Sequence, residues 1–221
     1  LSMPEALGSP GPPGATGQGP ERTRPFAVLS LFDGMGTVWH AVEAVLTRFA
    51  CRQLLVGAWA VEWDLELARS VKQYWTRQDA FAQRIPFQLV AHDVWYLLRD
   101  RGEVLRTLFR TLPHRALLVI VGGSPCQQFT KAAGKRAKLG LAGRDSFHMT
   151  IFGALRWYIR QVRPDLLVHV LVENSSGIEE PHRSVISGFL GLSDGDWQEA
   201  NAFPVSAFNR NRSLVSSLPV C

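Results

Sequence analysis

The sequence predicts an α/β protein built on a mostly parallel, Rossmann-like sheet flanked by helices, with an antiparallel edge strand near the C-terminus. Short apolar runs recur along the chain, helical segments separate them, and each run ends in glycine or a polar residue. These predicted strands are Ala27–Phe32, Leu54–Val61, Phe87–Ala91, Leu117–Val121 and Leu166–Val172. A parallel crossover needs a dozen or more residues, usually a helix, so strands alternating with helices favour parallel pairing.

Composition limits the function classes. With 221 residues, 46% of them hydrophobic and 19% charged, the chain can bury the core of one ordinary domain. No apolar run approaches the roughly 18 residues that cross a bilayer, which predicts a soluble protein with no membrane partner. The three cysteines lack paired or metal-ligand spacing, which argues against a zinc site or disulfide framework. The net charge of +5 suits an anionic partner, but ordinary solvated surface charge explains it more simply.

The chain divides into a tail and a domain. Residues 1–25 are rich in glycine, proline, serine and threonine, which predicts a disordered tail or linker. Residues 26–221 form the predicted domain. Its later elements are two helices, an extended region and an edge strand: Ser146–Val162, Arg183–Leu190, Ala202–Phe208 and Ser213–Leu218.

A glycine turn follows the first strand. Gly34 and Gly36 lie between that strand and a helical run, Val38–Phe49. Glycine lets the backbone approach a ligand, and a helix N-terminus offers unpaired N–H groups. The turn is shorter than a GxGxxG loop, so it predicts either a nucleoside-type cofactor or a plain turn, and not a phosphate loop.

The next two strands end in acids. Glu62 is positioned to hydrogen-bond a ribose hydroxyl pair, and the adjacent Trp63 either covers an adenine ring or packs in the core. Asp93 either accepts from an adenine amino group or caps the following helix, predicted over Trp95–Leu112.

A cysteine and a second acid follow the fourth and fifth strands. Cys126 comes directly after Gly122-Gly123-Ser124-Pro125, where its thiol is a candidate nucleophile or else a small buried hydrophobe. Glu173 lies 47 residues later, a length of loop, helix and strand that brings adjacent parallel strands together. The two side chains are therefore predicted to share one cleft, where the thiol attacks an electron-poor ring and the acid protonates a ring nitrogen.

A basic segment follows the cysteine. Four cations lie among the eight residues Lys131–Lys138, which have no periodic apolar face. This pattern predicts a mobile surface loop that either contacts phosphates or is simply solvated.

Four motifs, in this order and at these spacings, resemble those of the DNA cytosine-5 methyltransferases: Phe32-Asp33-Gly34-Met35-Gly36, Gly122-Gly123-Ser124-Pro125-Cys126-Gln127, Glu173-Asn174 and Arg210-Asn211-Arg212. The resemblance covers Phe26 to about Val220. The Gly-Gly-Ser-Pro-Cys run and Val205-Ser206-Ala207 are most similar to the de novo vertebrate-type branch. The resemblance implies the fold of the S-adenosylmethionine-dependent methyltransferases.

The resemblance also implies roles. S-adenosylmethionine would be bound by Phe32, Asp33, Gly34, Gly36, Thr37, Glu62, Trp63, Asp93 and Val94. The catalytic residues would be Cys126, Glu173, Arg212, Pro125 and Asn174. Cys126 would add to carbon 6 of a cytosine flipped out of the duplex, Glu173 would bind the ring nitrogen and exocyclic amine, and Arg212 would reach the base carbonyl oxygen. DNA would also contact Gln127, Lys131, Lys135, Arg136, Arg144 and Arg210.

The chain departs from the family pattern in two places. Ser175 stands where the family usually has valine after Glu-Asn. The family's target-recognition region follows the arginine motif, whereas the sequence given ends at Cys221, so we expect a truncated catalytic domain.

Two alternative functions are also consistent with these motifs. They are methylation of transfer RNA, or a catalytically inactive regulatory role. Expected partners are DNA or transfer RNA, and a homo-oligomer or a regulatory methyltransferase-like protein. The expected location is nuclear in a eukaryote and cytoplasmic otherwise.

Overall fold

The computed structural model describes residues 24–34, 36–77, 87–91, 93–99, 102–123, 141, 144–176, 178–192, 197–201 and 211–218. Its strands are β1 Phe26–Leu31, β2 Leu55–Val61, β3 Phe87–Ala91, β4 Leu117–Gly123, β5 Leu167–Ser175, β6 Trp197–Asn201 and β7 Asn211–Ser216. Its α-helices are α1 Thr37–Arg48, α2 Leu65–Arg77, α3 Glu103–Phe109, α4 Thr150–Val162 and α5 Glu180–Leu190.

The seven strands form one sheet in the order β3-β2-β1-β4-β5-β7-β6. Strands β1 to β5 pair in parallel, and β7 pairs antiparallel with both β5 and β6. The predicted Rossmann-like, mostly parallel sheet is confirmed. Its strand order reverses between β1 and β4, and ligands of open α/β sheets bind at such a switch point, beyond the carboxyl ends of the strands.

Helices cover both faces of the sheet. The smaller core joins Val28 and Ala58 of the sheet to Trp39 of α1 and Val71 of α2. The larger core lies on the opposite face and includes side chains from α3, α4 and α5. Because both faces are covered, the central strands are apolar along nearly their whole length, which is why they were recognisable in the sequence.

Two predicted elements differ from the structure. The helix over Trp95–Leu112 is divided into a 3₁₀ turn, Val94–Leu98, and the short helix α3, because Gly102 before α3 takes a left-handed conformation with φ of 73°. The antiparallel edge strand near the C-terminus is confirmed, but it is β6, whereas the strand predicted over Ser213–Leu218 corresponds to β7, which lies between β5 and β6. The edge strand β6 has the sequence WQEAN, whose weak apolar pattern concealed it.

Two strands are longer than predicted. Gly122 and Gly123 belong to β4, and Glu173 and Asn174 belong to β5, so the acid lies within its strand. The predicted extended region 202–208 and most of the predicted tail lie outside the described residues. Among the residues that the structure describes, no helix is both long and apolar enough to span a membrane.

Candidate functional site

The turn after β1 has an unusual backbone. Phe32, Gly34 and Gly36 have φ values of 53°, 56° and 73°. A left-handed conformation costs a non-glycine residue such as Phe32 about 1–3 kcal/mol, so surrounding contacts must hold it. The Gly36 N–H donates to the Asp33 carbonyl at 2.9 Å, and the Asp33 N–H donates to the Val61 carbonyl at 3.2 Å. The turn is therefore tied to the end of β2.

Asp33 joins this turn to β1 and α1 through its side chain. Its buried carboxylate accepts hydrogen bonds from the Ser30 hydroxyl at 2.5 Å and from the Trp39 indole N–H at 3.0 Å. Burial raises the pKa of Asp33, the two hydrogen bonds oppose that rise, and the nearby charge of Glu62 adds to it. Sequence reasoning missed Ser30 and Trp39, although a lone serine in an apolar strand was a usable signal.

Glu62 joins the ends of β1 and β2. It is 4% exposed, and its two carboxylate oxygens accept from the Gly34 N–H at 2.7 Å and the Asp64 N–H at 3.0 Å. Each carboxylate oxygen has two lone pairs, so each can accept one more hydrogen bond. A pair of hydroxyl groups fits this remaining capacity.

Trp63 and Asp93 lie next to this position in the fold, at the ends of β2 and β3. Trp63 is 76% exposed, which excludes the core-packing interpretation and leaves its ring available for stacking. Asp93 caps the 3₁₀ turn, since its carboxylate accepts from the Trp95 N–H at 2.9 Å, and it also pairs with Arg99 at 3.3 Å. Asp93 therefore caps this turn, and its contact with an adenine amino group stays a prediction. Val94 is buried, and Thr37 is exposed at the start of α1.

The second half of the site lies on β4, β5 and β7. Gly123 pairs with Glu173, and Glu173 pairs with Leu214 on β7. The Arg212 Nε contacts Glu173 Oε1 in an ion pair. A Cβ at Gly123 would overlap the Glu173 carboxylate, so only glycine lets the acid lie against β4 here. Glu173 therefore lies against Gly123, which precedes Cys126 by three residues in the sequence.

The segment preceding α4 packs against this edge. The Phe32 ring meets the His148 ring edge-on at 5.6 Å between centroids, and the buried Asn174 amide donates to the Met149 sulfur at 3.5 Å. Trp95 stacks on Phe147 at 4.8 Å. The 3₁₀ turn Arg144–Met149 is thus in contact with residues that follow β1, end β5 and follow β3.

Several predicted site residues cannot be located in this way. The described residues do not include Pro125, Cys126, Gln127, Lys131, Lys135, Arg136 or Arg210, and the side chain of Arg144 is not described either. Their roles stay predictions.

The site fits a nucleoside-type cofactor. Among the described residues, apart from its chain neighbours, a Cβ on Gly34 would have no heavy atom nearer than 3.9 Å, so these residues leave the space beside it open. Around it the structure supplies a carboxylate with unused lone pairs, an exposed aromatic ring and an exposed carboxylate, which match ribose hydroxyls, a purine face and an exocyclic amine. Within the described ranges, no three His, Cys, Asp or Glu side chains form a group able to hold a metal ion.

The fold and these contacts define a Rossmann-like α/β protein with acids and an arginine gathered at the carboxyl edge of its sheet. No protein-family model matches the sequence, and no curated protein matches it either.

Three of the solved structures that resemble the chain are methyltransferases. They include the CMeT domain of the citrinin polyketide synthase, with 12% identity and a TM-score of 0.43, and the DszA carbon methyltransferase, with 11% and 0.38. A third is a methyltransferase from Pyrococcus furiosus, with 15% and 0.41. The alignments cover 89%, 90% and 88% of this chain, and 47%, 49% and 76% of the respective structures. The chain thus spans about half the length of the first two. The fold assignment itself rests on the strand order.

Proposed function

We propose that this protein transfers a methyl group from S-adenosylmethionine to carbon 5 of cytosine in DNA, through a covalent adduct with Cys126. The observation that carries the proposal is the Glu173–Arg212 ion pair against Gly123, on the strand that leads into Pro125-Cys126. The two residues are 39 positions apart in the sequence, and the antiparallel pairing of β5 with β7 brings them together. The motif resemblance assigns both of them to the cytosine ring.

In this proposal the β1–β3 half of the edge holds the cofactor. Glu62 would accept from the ribose hydroxyls, Trp63 would cover the adenine and Asp93 would accept from its amino group. The open space beside Gly34 would admit the rest of the molecule. S-adenosylmethionine supplies an electrophilic methyl group when bound.

The β4–β7 half would carry out the chemistry on the base. The Cys126 thiolate would form a bond to carbon 6, and the electrons of the 5,6 double bond would shift toward the ring nitrogen, which takes a proton from Glu173. A neighbouring guanidinium favours an ionised carboxylate, so Arg212 would first turn from Glu173 to the base carbonyl oxygen. Carbon 5 then becomes nucleophilic and takes the methyl group. The ring nitrogen returns its proton to Glu173, and transfer of the carbon 5 proton to water restores the 5,6 double bond and expels the thiolate.

A trapping experiment tests the proposal. The protein, expressed from its complete reading frame, is incubated with S-adenosylmethionine and a duplex containing 5-fluorocytosine, whose fluorine blocks the final proton loss. We expect a denaturation-resistant protein–DNA adduct with the parent protein and none with Cys126→Ala. Absence of an adduct, or an adduct that survives Cys126→Ala, would contradict the proposal.

The same experiment separates the alternatives. A transfer RNA carrying 5-fluorocytosine is run beside the duplex, and an adduct only with the RNA would transfer the proposed chemistry to that substrate. Stimulation of an active methyltransferase by a protein that forms neither adduct would instead support a regulatory role.

A further inference from the structure

A groove on the helical face, away from the carboxyl edge, has no part in the proposed reaction. It runs between α4 and α5 and encloses about 590 Å³, within the range typical of ligand pockets. Arg156, Trp157 and Arg160 line it from α4, and Gly188 and Phe189 line it from α5. We call this feature the α4–α5 groove.

The α4–α5 groove exposes two large aromatic side chains. Trp157 is 64% exposed and Phe189 is 56% exposed. The helices touch closely at its base, where a Cβ at Gly153 would overlap the Phe189 carbonyl oxygen. At Gly188, in contrast, a Cβ would meet no atom of the described residues within 4 Å beyond the backbone of its own helix, so these residues leave the groove open there. An aromatic or aliphatic side chain of a partner fits this space.

The charges of the α4–α5 groove have one sign. Arg156 Nη1 donates to the Leu190 and Gly191 carbonyls at the end of α5, but among the described residues its buried Nε has no hydrogen-bond partner. Burial, and then the like charge of Arg160, lower the pKa of Arg156. The described lining contains no aspartate or glutamate. The buried Nε lies out of reach of a partner, so a partner's carboxylate would pair with the exposed guanidinium of Arg160, which lies close enough to Arg156 to lower its pKa.

We propose that the α4–α5 groove binds an acidic peptide segment whose aromatic or aliphatic side chain lies beside Gly188 between Trp157 and Phe189. A second copy of this chain suits the groove less well. An isologous contact would bring the same Arg156 and Arg160 of the second copy against these two cations, and each chain already has a net charge of +5.

A peptide selection tests this proposal. The full-length protein is immobilised and exposed to a phage library of random peptides of about twelve residues. We expect enriched peptides to combine several acidic residues with an aromatic or aliphatic residue. Affinities are then measured by fluorescence anisotropy with the most enriched peptide as the probe.

Matched variants locate the binding site. Gly188→Trp fills the groove and is expected to weaken binding about tenfold or more, equivalent to about 1.4 kcal/mol. Gly188→Ala changes the same backbone position without filling the groove and should bind like the parent. Arg160→Gln should weaken binding about threefold or more, whereas Arg69→Gln combined with Arg110→Gln removes two charges elsewhere and should have less effect.

Four results would overturn the proposal. They are a failure to enrich any peptide, enrichment of neutral or basic peptides, equal affinity for Gly188→Trp and the parent, or sedimentation of the parent as a dimer that Gly188→Trp dissociates. The last result would assign the groove to a second copy. Trapping with 5-fluorocytosine is measured on the same variants and is expected to be unchanged, so the outcome here is separate from that of the proposed reaction.

Discussion

The two ends of the parallel strands are built differently. At the amino end, Arg163 donates to the carbonyl oxygens of Phe109 and Leu112 and forms a bidentate pair with Asp165, both contacts at 2.8 Å. These groups satisfy one another and close the connections before β4 and β5. At the carboxyl end, Glu62 keeps lone pairs that accept no hydrogen bond from the residues that the structure describes, Trp63 is largely exposed and the Glu173 side chain is 37% exposed.

This difference separates stability from function. Groups that satisfy each other stabilise the fold, whereas groups with unused capacity at the same edge are available to a ligand. Substitutions at the amino end should therefore lower the free energy of unfolding, and substitutions of the exposed groups at the carboxyl end should lower activity instead.

The largest expected effect is at Glu173. Glu173→Gln keeps the size of the side chain but removes its acid, so adduct formation should slow about 10²–10⁴-fold, the usual contribution of a general acid. The rate is measured by quenched-flow trapping on 5-fluorocytosine duplex. Glu103→Gln, at an exposed ion pair with Arg106 on α3, is the matched control and should react at the parent rate. Equal rates for both variants would remove Glu173 from the chemistry.

Arg163 should give the opposite result. Arg163→Ala leaves two carbonyl groups and Asp165 without their donor, and should lower the free energy of unfolding by about 3 kcal/mol. Urea unfolding measures this loss, and Arg106→Ala at its exposed pair should cost about 0.5 kcal/mol or less. The adduct rate per folded molecule should not change. A large fall in that rate would break the distinction between the two ends.

Trp63 should affect cofactor affinity alone. Trp63→Ala should weaken S-adenosylmethionine binding about threefold to tenfold in calorimetry, in line with the loss of one aromatic stacking contact, and Trp63→Phe should retain most of it. Because the side chain is 76% exposed, the melting temperature should hardly change. Phe49→Ala, at a 66% exposed ring on the far end of α1, should change neither quantity. If Trp63→Ala lowered the melting temperature but bound S-adenosylmethionine with the affinity of the parent, Trp63 would have a structural role instead.

The smallest expected effect is the pH dependence of the free energy of unfolding. It has one sign for Asp33 at the carboxyl end and the opposite sign for Asp165 at the amino end. Burial raises the pKa of Asp33, so the folded state holds its proton more tightly and stability from this group is lost as pH rises above about 3.9 through the raised pKa. The hydrogen bond from Arg163 lowers the pKa of Asp165, so its stabilisation is present above about 3.9 and is lost as pH falls through the lowered pKa.

Urea unfolding between about pH 3 and pH 7 measures both trends. Relative to Asp33→Asn, the parent should lose stability as pH rises, and relative to Asp165→Asn it should gain stability over the acidic part of the range. If the free energy of unfolding of the parent changed with pH in parallel with that of either variant, the shifted pKa of that aspartate would not be the cause.

The sequence predicted the central sheet because its strands are buried on both faces and are therefore nearly continuous apolar runs. The carboxyl-edge positions of Glu62, Asp93 and Glu173 followed from the ends predicted for their strands, although Glu173 lies within β5. The sequence did not predict β6, because WQEAN at a sheet edge needs no apolar pattern. The apolar residues of Trp95–Leu112 keep a helical spacing although the segment is divided into a 3₁₀ turn and α3, so the sequence predicted one helix. The division occurs at Gly102, whose left-handed φ depends on packing that the local sequence does not encode.

The contacts within the site were harder to predict from the sequence. The resemblance named Glu173 and Arg212 separately, but their ion pair depends on the register of β5 against β7. The anchoring of Asp33 by Ser30 and Trp39 likewise depends on how α1 packs on β1. Both sets of contacts join residues on different secondary-structure elements or turns, so they depend on tertiary packing.

The most direct test of the central claim is peptide mapping of the trapped DNA adduct by mass spectrometry. Trypsin should release residues 116–131 as one peptide, which contains Cys126. We expect the nucleotide mass to be attached to this peptide, and Glu173→Gln to reduce its yield sharply. Attachment at Cys51 or Cys221, or no attached nucleotide at all, would contradict the claim that this edge of the sheet methylates cytosine.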